Sequence, residues 1–192
     1  MDLPRLLVLT DRSQLHLGRS LARTVAECVS AGATHVVVRE LDETELARTA
    51  LAAACEAAGA SVIAAHTPLY GCVGVHLPLG APVPADLPFG RSCHTADEVR
   101  AAAVEGASWV TLGPFASTES KPGYEPVDRA VYDAAAEVGI RVYALGGVTP
   151  DNVADAIAAG ADGVAVMGSV MRAEDPAAVV GALLDVLGEA PW

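Results

Sequence analysis

The chain has 192 residues, 52% of them hydrophobic and only 4% aromatic, which suits a single domain over 1–192 whose core is filled by Ala, Val and Leu. Twelve basic against 24 acidic residues leave a net charge of -12. That balance argues against nucleic-acid and anionic-membrane partners, which need clustered cations, and obliges any anionic ligand to be held by local features.

Leu6–Leu9 reads as a first strand ending in Thr10-Asp11-Arg12. A helical pattern over Leu17–Ser30 stops at Gly32, and the strand His35–Val38 follows, ending in Arg39-Glu40. The next helix spans Glu43–Ala58, stops at Gly59, and leads into Ser61–Ala64, which ends in Ala65-His66-Thr67. Between Ala65 and Phe89 there is room for the strands Val73–Leu77 and Phe89–Cys93 but not for full helices, because Tyr70-Gly71-Cys72 and the Pro-rich run from Pro78 to Pro88 intervene. The unit Ala96–Glu105, Gly106, Trp109–Leu112 restores the pattern and runs into Gly113-Pro114. Two further helix–Gly–strand units follow. Val127–Val138 precedes Arg141–Leu145, which enters Gly146-Gly147; Thr149–Ala159 precedes Val164–Met167, which enters Gly168-Ser169. Asp175-Pro176 opens a last helix to Leu187.

Gly ends each helix because it tolerates the left-handed backbone, and the short β-branched runs suit strands buried on both faces. Eight such strands alternating with helices predict a small α/β (β/α)8 TIM barrel with reduced helices around strands 3–5. An open doubly wound sheet is the alternative.

In such barrels the site lies at the C-terminal ends of the strands. Gly146-Gly147 and Gly168-Ser169, after strands seven and eight, let backbone N–H groups approach an oxyanion, so they predict a phosphate cradle. Lys121, the only lysine, lies in the long connection from Gly113 to Pro126, where a flexible point charge could close over a phosphate. Arg39 follows a buried strand and points to a ligand-binding or site-organising role. His66, His76 and His94 stand at strand ends and can move a proton near neutrality. No Asp or Glu stands at metal-ligand spacing with them, so no metal site is expected. Cys28, Cys55, Cys72 and Cys93 form no C-x-x-C pair and read as free thiols. No apolar run approaches the ~20 residues that span a bilayer. The start Met1-Asp2-Leu3-Pro4-Arg5 lacks a signal-peptide pattern, so a cytoplasmic protein is expected.

Taken in order, these segments resemble the thiamine phosphate synthases and their relatives, the TenI-type thiazole tautomerases. Leu9-Thr10-Asp11, Val38-Arg39-Glu40, Val75-His76-Leu77-Pro78, Gly90-Arg91-Ser92-Cys93-His94, Gly113-Pro114 through Thr118 and Lys121, and Leu145-Gly146-Gly147-Val148-Thr149-Pro150 carry the likeness, from Leu7 to Pro176. The resemblance implies a barrel that handles the phosphorylated thiazole of thiamine biosynthesis. Gly146, Gly147 and Ser169 would hold the thiazole phosphate. Ser92, Thr118 and Lys121 match positions that contact pyrophosphate in synthases, and Arg39 matches a pyrimidine-side or organising arginine.

The chain also departs from the pattern. Leu41 stands where synthases have the lysine after "R-E", Val37 replaces a glutamine, His66-Thr67 lies near the place of an "N-D" pair, and Pro78-Leu79-Gly80-Ala81 offers no carboxylate. The tautomerases' histidine after strand six is Pro114 here. These differences favour a metal-independent tautomerase that binds a phosphorylated heterocycle, with His94, His66 and Glu40 as candidate bases. The alternatives are a thiamine phosphate synthase, which would need Mg2+, and a non-catalytic phosphate-ligand barrel. A homo-oligomer stays open.

Overall fold

Eight short parallel strands close on themselves in chain order: β1 (Leu6–Leu9), β2 (His35–Val38), β3 (Ser61–Ala65), β4 (Gly74–Leu77), β5 (Phe89–Cys93), β6 (Trp109–Leu112), β7 (Arg141–Leu145) and β8 (Gly163–Val166), with β8 paired back to β1. The architecture is the expected (β/α)8 barrel. It is seen in a computed structural model that describes residues 3–118, 123 and 125–188.

The helices are α1 (Leu21–Ser30), α2 (Glu45–Ala57), α3 (Ala96–Val104), α4 (Arg129–Ala136), α5 (Val153–Ala158), α6 (Gly168–Met171) and α7 (Pro176–Leu187). Thr44, Thr95, Asp128 and Asp175 cap α2, α3, α4 and α7 by accepting from backbone N–H groups of the first turn. No helix separates β3 from β4 or β4 from β5. Arg91 takes over part of the missing helix's work. Its buried guanidinium donates to the carbonyls of Pro78 (2.8 Å) and Ala81 (2.6 Å) in the β4–β5 connection and to Glu105 beyond α3.

Two local differences from the sequence expectation have physical causes. The first helix begins at Leu21 rather than Leu17, because Asp11 caps a separate 3-10 turn over Arg12–Gln14 and Gly18 takes φ +83°. The one-turn helix α6 is too short to show a hydrophobic period.

Strand alternation divides the core into two shells. Leu7, Leu9, Val37, Ile63, Trp109, Tyr143 and Ala165 fill the barrel interior. Val8, Val36, Val62, Val75, Val110, Val142 and Val164 face the helices. Gly90 makes room for the large interior ring of Trp109: a Cβ there would lie 2.1 Å from the indole. This packing plugs the bottom of the barrel and leaves polar inward-facing positions one layer higher.

Candidate active site

The upper inward layer holds a polar cluster formed by strands that only barrel closure brings together. His76 of β4 has its Nε2 3.0 Å from Ser92 Oγ of β5 and 3.2 Å from Thr111 Oγ1 of β6. The imidazole stacks on Trp109, with ring centroids 6.1 Å apart. Burial, then His66, Arg39 and Arg91, push the His76 pKa down to about 4. The ring is therefore neutral at neutral pH, and its Nδ1 is buried with no partner among the described residues.

His66 follows β3 at φ +65° and donates its backbone N–H to the His76 carbonyl (2.9 Å). The residue is exposed. Partial burial of the ring, then the Arg39 and Arg48 guanidinium groups, lower its pKa. Arg39 lies beyond β2, with its guanidinium against Met167 after β8 and 3.9 Å from Asp11. The candidate residues Arg39, His66 and Ser92 thus share the mouth with His76 and Thr111. Thr111 carries no motif of its own, and its partner lies 35 positions away in the chain.

His94 and Glu40 are placed differently. The His94 backbone N–H donates to Glu98 of α3 (2.6 Å), and its ring Nδ1 lies 3.5 Å from the same carboxylate. Glu40 is buried at φ +27°, and both of its oxygens accept from Arg12. Arg12 also holds Asp42 and Glu43. Asp11 accepts from Ser13 and Gln14, which together with Arg39 outweigh its burial and lower its pKa.

At the β7–β8 side the glycines adopt backbone that side chains resist. Gly146 has φ +95° and Gly147 φ +71°. A Cβ on Gly147 would lie 2.6 Å from the carbonyls of Ala116 and Ser117, so packing of the β6–α4 loop demands glycine there in its own right. The adjacent turn after β8 carries Gly168 and Ser169. The amides of Gly147, Gly168 and Ser169 find no acceptor among the described residues, and Ser169 Oγ is buried without a partner. A Cβ on Gly168 would meet the Arg172 guanidinium at 2.5 Å, which places a cation against the same turn. Thr118 is half-buried in the β6–α4 loop, whereas Lys121 lies outside the described residues.

The sequence profile of the family described as thiamine monophosphate synthase matches residues 6–170. The chain belongs to the thiamine monophosphate synthase family. A thiamine-phosphate synthase of Xanthomonas campestris pv. campestris is 38% identical over 149 residues, covering 70% of this chain and 71% of that protein. The bifunctional ThiM/ThiE protein of Symbiobacterium thermophilum is 41% identical over 128 residues, covering 60% of this chain and 26% of that longer protein. In fold, the thiamine phosphate pyrophosphorylase of Pyrococcus furiosus matches with a TM-score of 0.83 at 23% identity, covering 95% of each chain.

A synthase of this family implies Mg2+, which takes oxygen ligands and favours carboxylates. The mouth does not fit it. Among the described residues no three His, Cys, Asp or Glu side chains converge. The nearest carboxylates, Asp11 and Glu40, are already engaged by Ser13, Gln14 and Arg12. No helix among the described residues is long and apolar enough to cross a membrane.

Proposed function

We propose that this synthase-family barrel holds a thiazole monophosphate by its phosphate in the glycine corner and couples its ring nitrogen to an activated pyrimidine, the thiamine-phosphate synthase reaction for which its relatives are named. The observation that carries the reading is the set of unpaired donors at Gly147, Gly168 and Ser169, with the Ser169 hydroxyl among them. Backbone N–H groups aimed at one place favour a dianion without needing a positive overall charge. In the coupling, the methylene carbon–oxygen bond of the pyrimidine diphosphate breaks and its electron pair leaves with pyrophosphate. The thiazole nitrogen then closes on the carbon. Charge develops on the departing oxygen, so the protein's part is to set donors and cations where that oxygen leaves. Ser92 and Thr118 line that path by resemblance, together with Arg39.

A second reading, the TenI-type tautomerase, is favoured by the imidazoles at the mouth and by the poor fit of the carboxylates to Mg2+. Here one proton leaves the thiazole ring carbon and one is returned to the exocyclic carbon, a task for a neutral imidazole such as His66.

One experiment separates the readings. The protein is incubated with pyrimidine diphosphate and thiazole phosphate, and separately with the non-aromatic thiazole tautomer, each with and without Mg2+, followed by product analysis. Thiamine phosphate with release of pyrophosphate supports the coupling. Aromatised thiazole alone supports the tautomerase. Tight binding with unchanged substrates supports a non-catalytic barrel.

A further inference from the structure

His76 links two layers of the barrel interior. In the lower layer, Gly90 of β5 is the register partner of His76 on one side and of Trp109 on the other. A Cβ on Gly90 would collide with Trp109 Nε1, so the indole lies across the glycine and stacks on the imidazole. In the upper layer, His76 Nε2 reaches Ser92 and Thr111, which are register partners of each other. His76 and Thr111 are buried, at 7% and 2% exposure. Ser92 is the one of the three that is only half-buried.

A neutral imidazole carries one ring proton, and the surroundings decide which nitrogen holds it. Nε2 faces two hydroxyl oxygens that can accept it. Nδ1 has no acceptor among the described residues. The titratable groups that act on the ring, His66, Arg39 and Arg91, include no carboxylate to hold a proton there. A proton on Nδ1 would therefore be a buried donor without an acceptor, which costs free energy. Trp109 Nε1 is already a donor of that kind. With the proton on Nε2, the indole N–H and the bare Nδ1 form a donor and an acceptor in one layer, a pair that a single enclosed water satisfies. With the proton on Nδ1, both would be donors.

We propose that His76 is a positioning residue fixed as the Nε2–H tautomer, and that it makes the Ser92 hydroxyl a hydrogen-bond donor toward the mouth. The imidazole N–H occupies a lone pair of Ser92 Oγ, which leaves the hydroxyl proton for the ligand. The ligand atom seated over Ser92 is then an acceptor, an oxygen or a bare ring nitrogen, and not an N–H group. The opposite tautomer would reverse this choice, because Ser92 would donate to Nε2 and offer the ligand only lone pairs. The proposal rests on the synthase-family reading in taking the mouth as the substrate site, and it holds for coupling and for tautomerisation alike.

Nitrogen-15 NMR of the full chain at pH 7 tests the tautomer without turnover. The His76 ring is assigned among the five histidines by its contacts with the Trp109 indole and by its loss in His76→Gln. A protonated Nε2 beside a bare Nδ1 is expected. A protonated Nδ1, or an equal mixture of the two forms, overturns the proposal. The link to Ser92 is read in the coupling assay with pyrimidine diphosphate and thiazole phosphate. Ser92→Ala and His76→Leu each lower kcat/KM about tenfold, the effect of one hydrogen bond. The double variant loses no more than the larger single loss, because His76 acts through Ser92. Additive losses overturn the proposal. Circular dichroism establishes that each variant is folded, and if His76→Leu is not, the tautomer measurement alone decides. The coupling reading fails separately: absence of thiamine phosphate ends that reading, and the tautomer measurement still decides this one.

Discussion

Both carboxylate oxygens of Glu40 accept from Arg12: from its backbone N–H at 3.2 and 3.3 Å and from its guanidinium at 3.1 Å. The pair ties the β1–α1 loop to the β2–α2 turn beside Arg39. A carboxylate engaged in this way orders the loop and is poorly placed to take a proton from a substrate. Glu40→Gln is expected to raise KM for the phosphorylated substrate more than it lowers kcat, and to leave the pH profile of kcat unchanged. A profile that loses its acidic limb would identify Glu40 as the base instead.

The histidine candidates separate in the same way. The His94 ring lies 3.5 Å from Glu98 of α3, whereas His66 shares the rim with Arg39 and Arg48. His94→Ala is expected to keep activity within about threefold of wild type, and His66→Ala to lose about a hundredfold, the size of a general acid–base contribution. Steady-state rates of both variants on the non-aromatic thiazole tautomer, the substrate whose conversion moves a proton, provide the check, and equal losses would remove the distinction.

Interior packing makes a stability prediction independent of function. A Cβ on Gly90 would sit 2.1 Å from the Trp109 ring, whereas one on Gly181 in α7 meets nothing within 4 Å. Gly90→Ala forces the indole or the strand to move and is expected to cost about 3 kcal/mol. Gly181→Ala is expected to stabilise by about 0.5–1 kcal/mol, because alanine loses less backbone entropy in a helix. Urea unfolding of the two variants beside wild type measures both signs.

The barrel was legible in the sequence because strands covered on both faces become continuous apolar runs such as Val36-Val37-Val38, and glycine marks the helix ends before them. The missing helices around β4 were legible for the opposite reason, since Tyr70-Gly71-Cys72 shortens the connection before it and proline between Pro78 and Pro88 prevents a helix after it. The glycine corner showed itself as two glycine turns at the places where barrels hold phosphate. What stayed hidden depends on closure. Ser92 and Thr111 meet His76 across 16 and 35 positions, and nothing local in the chain announces that distance. Arg48 was hidden inside an ordinary helical pattern, where its burial beneath His66 leaves no sequence mark. Glu40 looked like a free carboxylate because its partner Arg12 lies 28 positions earlier, on another strand end.

The buried imidazole of His76 makes stability depend on pH in a definite direction. In the folded chain burial, His66, Arg39 and Arg91 push its pKa down to about 4, whereas the unfolded side chain titrates near its ordinary value of 6.5. Between those values the unfolded state binds more protons than the folded one, so protonation favours unfolding. The contribution of His76 is therefore fully present above about pH 6.5 and is lost progressively as pH falls toward 4. Unfolding free energies from urea titrations at pH 4.5, 5.5, 6.5 and 7.5 are expected to rise with pH in wild type. They are expected to rise less steeply in His76→Gln, which keeps a polar group near Ser92 and Thr111 but does not titrate. Equal slopes in the two proteins would mean that other groups carry the dependence, with the exposed His66, whose pKa is also lowered, the first to substitute next.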